Sequence, residues 1–336
     1  MNIVAPISRL DEIEPLAQAG ADELYCGMVP QQWVGKFRVA SANRRPGGNL
    51  ASYEDLAAAI ERSHRHGSTL SLVLNAQQYT RDQEDAALEI GERFLAMGGD
   101  ALIVSDPGLI DQLSTRHPDA RIHVSSVATF RNPEAVRFSR ELGATRVILP
   151  RDVTIAEACE MARSVPEIEI EAFILNDGCV FEEGACQTVH LPGRLGGPIC
   201  LDSYTYDYRH RNGRRPDART RKKIEENDTA YRKWLWYRFS CGFTTTPEGL
   251  PFGPCGLCAI PHLLTGGVRA IKIAGREGPL VRKLGSVKMV RTILDAAEAG
   301  TSPTEIMHQA QNLRPSVEHC RTGYMCYYPE VLREAR

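Results

Sequence analysis

Short runs of β-branched and other apolar residues recur along this chain, separated mostly by amphipathic helical patterns. The runs are NIVAP (2–6), ELYCGM (23–28), STLSLVLN (68–75), ALIVSD (101–106), RIHVSS (121–126), RVILP (146–150), EIEAFIL (169–175) and RAIKIAGR (269–276). Intervening stretches such as YEDLAAAIERSHRHG and NPEAVRFSRELG end at Gly, as helix C-termini favour. Continuously apolar strands between helices indicate a parallel sheet covered on both faces. Eight of them predict an α/β fold of the (β/α)8 TIM-like barrel type, with a doubly wound open sheet as the alternative. A length of 336 residues accommodates one such barrel or two ordinary domains.

One connection breaks the rhythm. Residues 176–268, between the seventh and eighth runs, far exceed an ordinary βα loop. The sequence therefore predicts a barrel over 1–285 with a long cysteine-bearing insertion between strands 7 and 8, then a C-terminal helix and docked tail over 286–336. The tail segment GYMCYYPEV is too apolar to stay free in water. In such barrels chemistry gathers at the C-terminal ends of the strands. Those ends carry Cys26, Asn75, Asp106, Ser125, Ser126, Arg151, Asn176 and Arg276. Asn75, Asp106, Arg151 and Arg276 are the catalytic candidates. The two arginines stand out because a guanidinium fork grips a carboxylate bidentately, although either could serve a structural ion pair. Lys272 lies inside the last strand, pointing into or out of the barrel.

Net charge is −2, so the whole-chain field argues for neither nucleic acid nor membrane. The opening MNIVAPISRLDEIEPL lacks the basic and apolar regions of a signal peptide, and no apolar run approaches the roughly 20 residues a membrane span requires. A cytoplasmic location without a membrane span is expected. Thiols stay reduced there, which makes the ten cysteines informative. Eight of them fall between Cys179 and Cys326, a clustering that points to metal or redox chemistry.

Cys179, Cys186, Cys200 and Cys241 are separated by six, thirteen and forty residues. Four thiolates suit zinc or an iron–sulfur cluster, and the spacing lacks the paired knuckles of structural zinc. The alternative is four independent buried thiols acting as small hydrophobes. Cys255 and Cys258 form PCGLC, and with Cys320 and Cys326 they offer a second four-thiol site. These four could instead simply pack the tail.

Several segments carry a family resemblance. EIEAFILNDGCVFEEGAC resembles the apolar strand and C-x-x-S-G-x-C segment of the U-32 peptidase (collagenase-like protease) family. AGADELYCG, VILPRDVTIAE and LLTGGVRAIKIAGR resemble, in order, three further segments of that family, so the likeness runs from about residue 2 to about 285. It lies closest to the oxygen-independent hydroxylation branch, the anaerobic ubiquinone-biosynthesis and RNA-hydroxylation proteins. The resemblance implies a 4Fe–4S cluster on Cys179, Cys186, Cys200 and Cys241 and hydroxylation of a small molecule or RNA. It further implies prephenate as co-substrate and a heteromeric partner of the same family. A peptidase, and a non-catalytic cluster-bearing subunit, are the alternatives. Two departures stand out. Glu182 and Glu183 lie where the family has Ser nearby, and Ala274 replaces the Glu of KIEGR.

The segment 208–223 holds eight Arg or Lys residues. It reads as an RNA or anion-binding arm, or as a solvated insert. YRKWLWYRF follows, its aromatics suited to stacking on bases or to one buried face of a strand. His123 and His190 are proton-transfer candidates, though a lone His is more often structural. The LPGRLGG loop is too weak a signal for phosphate binding. Ser125, Ser126 and Cys26 are possible nucleophiles, but no G-x-S-x-G or H-E-x-x-H pattern accompanies them.

Overall fold

The computed structural model describes residues 1–37, 42–45, 47–179, 183–186, 206–239 and 243–334. Its strands are β1 (Asn2–Pro6), β2 (Glu23–Met28), the two-residue β3 (Asn49–Leu50), β4 (Thr69–Leu74), β5 (Ala101–Val104), β6 (Arg121–Val124), β7 (Arg146–Ile148), β8 (Glu169–Leu175) and β9 (Ala270–Ile273). All pair in parallel in the order β1-β9-β8-β7-β6-β5-β4-β2, and β1 pairs again with β2 to close an eight-stranded barrel. β3 adds to the C-terminal end of β2, outside the closed ring. The barrel expected from the alternating runs is borne out.

The helices that cover it are α1 (Ile13–Gln18), α2 (Gln31–Phe37), α3 (Tyr53–Arg65), α4 (Arg81–Ala96), α5 (Pro107–Arg116), α6 (Pro133–Glu141) and α7 (Ile155–Ser164). After β8 come α8 (Ala218–Phe239), α9 (Ile260–Thr265), α10 (Leu280–Glu298), α11 (Pro303–Leu313), α12 (Val317–Thr322) and α13 (Val331–Glu334). Local chemistry sets where they start. Ser52, Asp106 and Asn132 each accept a hydrogen bond from a first-turn N–H of α3, α5 and α6, and Pro follows Asp106 and Asn132 where its missing N–H costs nothing. Thr154 and Glu157 form a reciprocal capping box on α7.

The core is the usual one for such a barrel. Leu24, Leu70, Leu72, Leu102, Ile122, Val147 and Ile271 are fully enclosed between strands and helices. Burying such side chains contributes about 1.5–3 kcal/mol each. The tail lies against this body. Tyr327 and Tyr328 are buried, and their hydroxyls donate to the carbonyls of Asn176 and Phe173 at the end of β8.

α8 differs from the other helices. Its apolar residues form no stripe, and most of its surface is in water. YRKWLWYRF therefore lies in a helix and not in a strand with one buried face; Tyr231 and Trp236 remain 42% and 56% exposed. Among the described residues, no helix is long and apolar enough to cross a membrane.

Candidate functional site

Two layers of charge fill the barrel interior. In the lower layer Arg146 of β7 lies 1% exposed between three carboxylates. Its Nη1 and Nη2 donate to Glu23 of β2 at 2.7 and 2.8 Å, Nη1 also to Glu171 of β8 at 3.0 Å, and Nε to Glu169 at 2.7 Å. Lys272 of β9 donates to Glu171 at 2.8 Å and lies 3.9 Å from the Tyr25 ring centre. Burial opposes the charge on Arg146, but the bond to Glu23 and the charge of Glu171 outweigh it and raise its pKa. Burial leaves Lys272 with a pKa below the ordinary value. His123 of β6 is 1% exposed; burial, with Arg146 and Arg121 nearby, holds its pKa well below the usual range, so the imidazole is neutral.

Above this layer, at the C-terminal ends of the strands, lies a cavity of about 70 Å³. Arg44, Arg151, Lys272 and Arg276 line it with Asn75, Ser125, Ser126 and Glu183. Arg151 stacks its guanidinium 3.7 Å from the Phe173 ring centre and pairs with the carboxylate of Glu183. Arg44 donates to the Glu183 carbonyl at 2.8 Å and approaches its carboxylate at 3.8 Å. Ser126 donates to that carboxylate at 2.5 Å. Burial raises the Glu183 pKa, but Arg151 and Arg44 more than offset this, and the carboxylate is held ionised below its ordinary range.

Among the described residues Arg276 is enclosed without such a partner. Its hydrogen bonds go to neutral acceptors, Asn43 Oδ1 at 2.9 Å and the Gly48 carbonyl at 3.3 Å, and burial lowers its pKa. The glycine in LYCG is explained by this contact: a Cβ on Gly27 would run into the Arg276 guanidinium and Asn49. β8 ends in two left-handed residues, Asn176 (φ 69°) and Asp177 (φ 43°), which turn the chain sharply at the mouth. Asn176 donates to Ser286 and Asp177 pairs with Arg282, both at 2.8 Å.

The structure brings Arg151, Arg276, Asn75, Ser125 and Ser126 to one cavity. Asp106 stands apart as the cap of α5, accepting from Leu109 N at 3.0 Å. Cys26 is fully buried, and burial pushes its thiol up to about 12, so it is no nucleophile at neutral pH. Asn75 donates to Ser125, and Ser126 donates to Glu183. Among the described residues neither serine nor Cys26 hydrogen-bonds a histidine, and the geometry supports no peptidase triad. His190 lies outside the described residues. Arg44 escaped the sequence reading because residues 42–45 form no helix or strand, so no periodicity marks its direction. The adjacent pair Arg44 and Arg45 was the available signal.

The expectation of a 4Fe–4S cluster, and with it of an iron–sulfur hydroxylase, is corrected by the structure. Among the described residues, no group of three or more His, Cys, Asp or Glu side chains is placed to hold a metal ion. Cys179 and Cys186 are each partly buried, while Cys200 and Cys241 lie outside the described residues. What converges at the mouth is a carboxylate met by two guanidiniums, a cationic surround that disfavours a metal cation.

Cys255, Cys258, Cys320 and Cys326 do come together, around a cavity of about 20 Å³ beneath the tail. Cys255 and Cys326 are bridge partners, with Cys255 N donating to the Met325 carbonyl and Tyr327 N to the Cys255 carbonyl. Burial raises the thiol pKa of Cys258, Cys320 and Cys326, the last to about 12, and neighbouring cysteines add to the shift. Cys258, Cys320 and Cys326 stand as protonated thiols beneath the tail. Gly256 is needed there, because a Cβ would lie 2.7 Å from the Tyr328 ring.

The chain is 28% identical over 221 residues to tRNA hydroxylation protein P of Escherichia coli K12, which covers 64% of this chain and 46% of that protein. It is 25% identical over 302 residues to tRNA hydroxylation protein P1 of Bacillus subtilis 168, 88% of this chain and 63% of that one. It is also 27% identical over 139 residues to the 23S rRNA 5-hydroxycytidine C2501 synthase of E. coli K12, 41% of this chain and 20% of that protein. The chain thus spans less than two thirds of the length of each of these relatives. The model of peptidase family U32 matches residues 8–335, and the chain belongs to that family.

Proposed function

We propose that this chain takes part in hydroxylation-type modification of RNA, seating a carboxylate-bearing small molecule in the barrel mouth and holding RNA against its basic exposed helix. The observation that carries the reading is the gathering of Arg44, Arg151, Arg276 and Lys272 around one cavity at the strand ends. Arg276 supplies a buried guanidinium whose hydrogen bonds go to neutral groups, which favours an incoming anion. Low local dielectric strengthens each of these attractions relative to water.

The RNA half of the reading rests on residues 206–236 and on the relatives' names. Ten Lys or Arg residues there stand against five Asp or Glu, and all ten are exposed. Such a surface neutralises phosphates, and Tyr231 and Trp236 offer faces on which bases stack. The test is nucleoside mass spectrometry of RNA from cells with and without this chain. Loss of a pyrimidine one oxygen heavier than its parent, restored by the wild-type chain and not by Arg276→Gln, is the expected result. An unchanged nucleoside profile contradicts the reading.

A further inference from the structure

The proposed carboxylate seat already holds a carboxylate of the chain's own. Glu183 belongs to neither a helix nor a strand, and its side chain reaches into the cavity to Arg151, Arg44 and Ser126. Two cations and a hydroxyl are the partners a substrate carboxylate would take. With Glu183 seated, the space left is about 70 Å³. Glu183 therefore occupies the position beside Arg151 and Arg44 that a substrate carboxylate would need. The backbone at this point is fastened by side chains. Arg44 and Gln77 both donate to the Glu183 carbonyl, and Gln77 also to that of Cys186. Gly184 lies so close to the Val127 carbonyl and the Thr129 methyl that a Cβ would collide with both.

We infer that Glu183 is an internal stand-in ligand: the segment 183–186 closes the mouth by placing its carboxylate in the substrate's seat, and substrate binds by displacing it. The inference rests on the carboxylate reading above and adds a gate to it. Exchanging one carboxylate for another leaves the buried arginines paired before and after, which avoids the several kcal/mol that an unpaired buried charge costs. The gate also lowers apparent affinity by the fraction of molecules in which the seat is open.

The test is calorimetric titration of the full chain with succinate, and with its neutral diamide as control, for wild type, Glu183→Gln and Gly184→Ala. The first variant removes the resident charge. The second keeps every charge and forces the segment away from Val127, so it serves even if the first folds poorly. Both variants are expected to bind succinate about tenfold or more tightly than wild type, because the closed state no longer competes. Equal affinity in all three proteins overturns the gate while leaving the carboxylate seat intact. Failure of succinate to bind any of them overturns the gate and the carboxylate reading together.

Discussion

The floor and the mouth of the barrel use the same groups to different ends. At the floor Arg146 meets Glu23, Glu169 and Glu171, and every partner stands on a strand of the closed ring. At the mouth Arg151 meets Glu183, which belongs to no regular element. Strand residues cannot leave without opening the barrel, so the floor is a fixed network. A loop carboxylate can turn to water or be replaced, so the mouth is an exchangeable one. Glu23, Glu171 and Glu183 are similarly enclosed; what differs is the backbone that carries the carboxylate.

Breaking each network in turn sharpens that difference. Arg146→Met leaves Glu23 and Glu171 buried without their cation, and stability should fall by about 3–5 kcal/mol, read from urea denaturation. Arg151→Gln, at a side chain 13% exposed, should lose about 1–2 kcal/mol, because Glu183 can reach solvent and mainly the stacking on Phe173 is forfeited. Equal losses in the two variants would erase the distinction between floor and mouth.

A smaller effect follows from pH. His123 is buried and neutral, with a folded pKa well below the roughly 6.5 of an unfolded chain. As pH falls below that unfolded value, the unfolded state takes up a proton that the folded state refuses, so stability declines. Glu23 and Glu183 have depressed pKa values in the folded state. Their contribution is fully present above the unfolded carboxylate value of about 4.3 and is lost as pH drops through the folded values. Urea titrations across this range should show a shallow decline beginning near pH 6.5 and a steeper one below pH 4.5. His123→Phe should flatten the first and spare the second; an unchanged upper limb in that variant would show that His123 does not carry it.

The fold was legible because continuous apolar strands have few solutions, and each of the eight runs became a barrel strand. Arg151 and Arg276 were legible as mouth residues because strand ends point to one face. Asp106 shared that position, yet the same place before Pro107 also makes it a helix cap, and periodicity cannot separate the two roles. The floor network was hidden within strand patterns. EIEAFIL reads as an apolar strand, and nothing local says that Glu169 and Glu171 turn inward toward an arginine on β7. Arg44 and the contact of Glu183 were illegible for a different reason: both come from irregular backbone, whose direction only tertiary packing sets. The thiols were counted correctly and assigned to a cluster that the described residues do not assemble. Spacing along the chain records how many ligands exist, not which of them meet.

The central claim, that the mouth is a carboxylate seat built on Arg151, is tested most directly by equilibrium binding of succinate to wild type and Arg151→Gln near neutral pH. The account predicts saturable binding to wild type, at least about tenfold weaker binding to the variant for loss of a charge-assisted pair, and none of the diamide. Equal binding of succinate and its diamide, or undiminished affinity in Arg151→Gln, would contradict it.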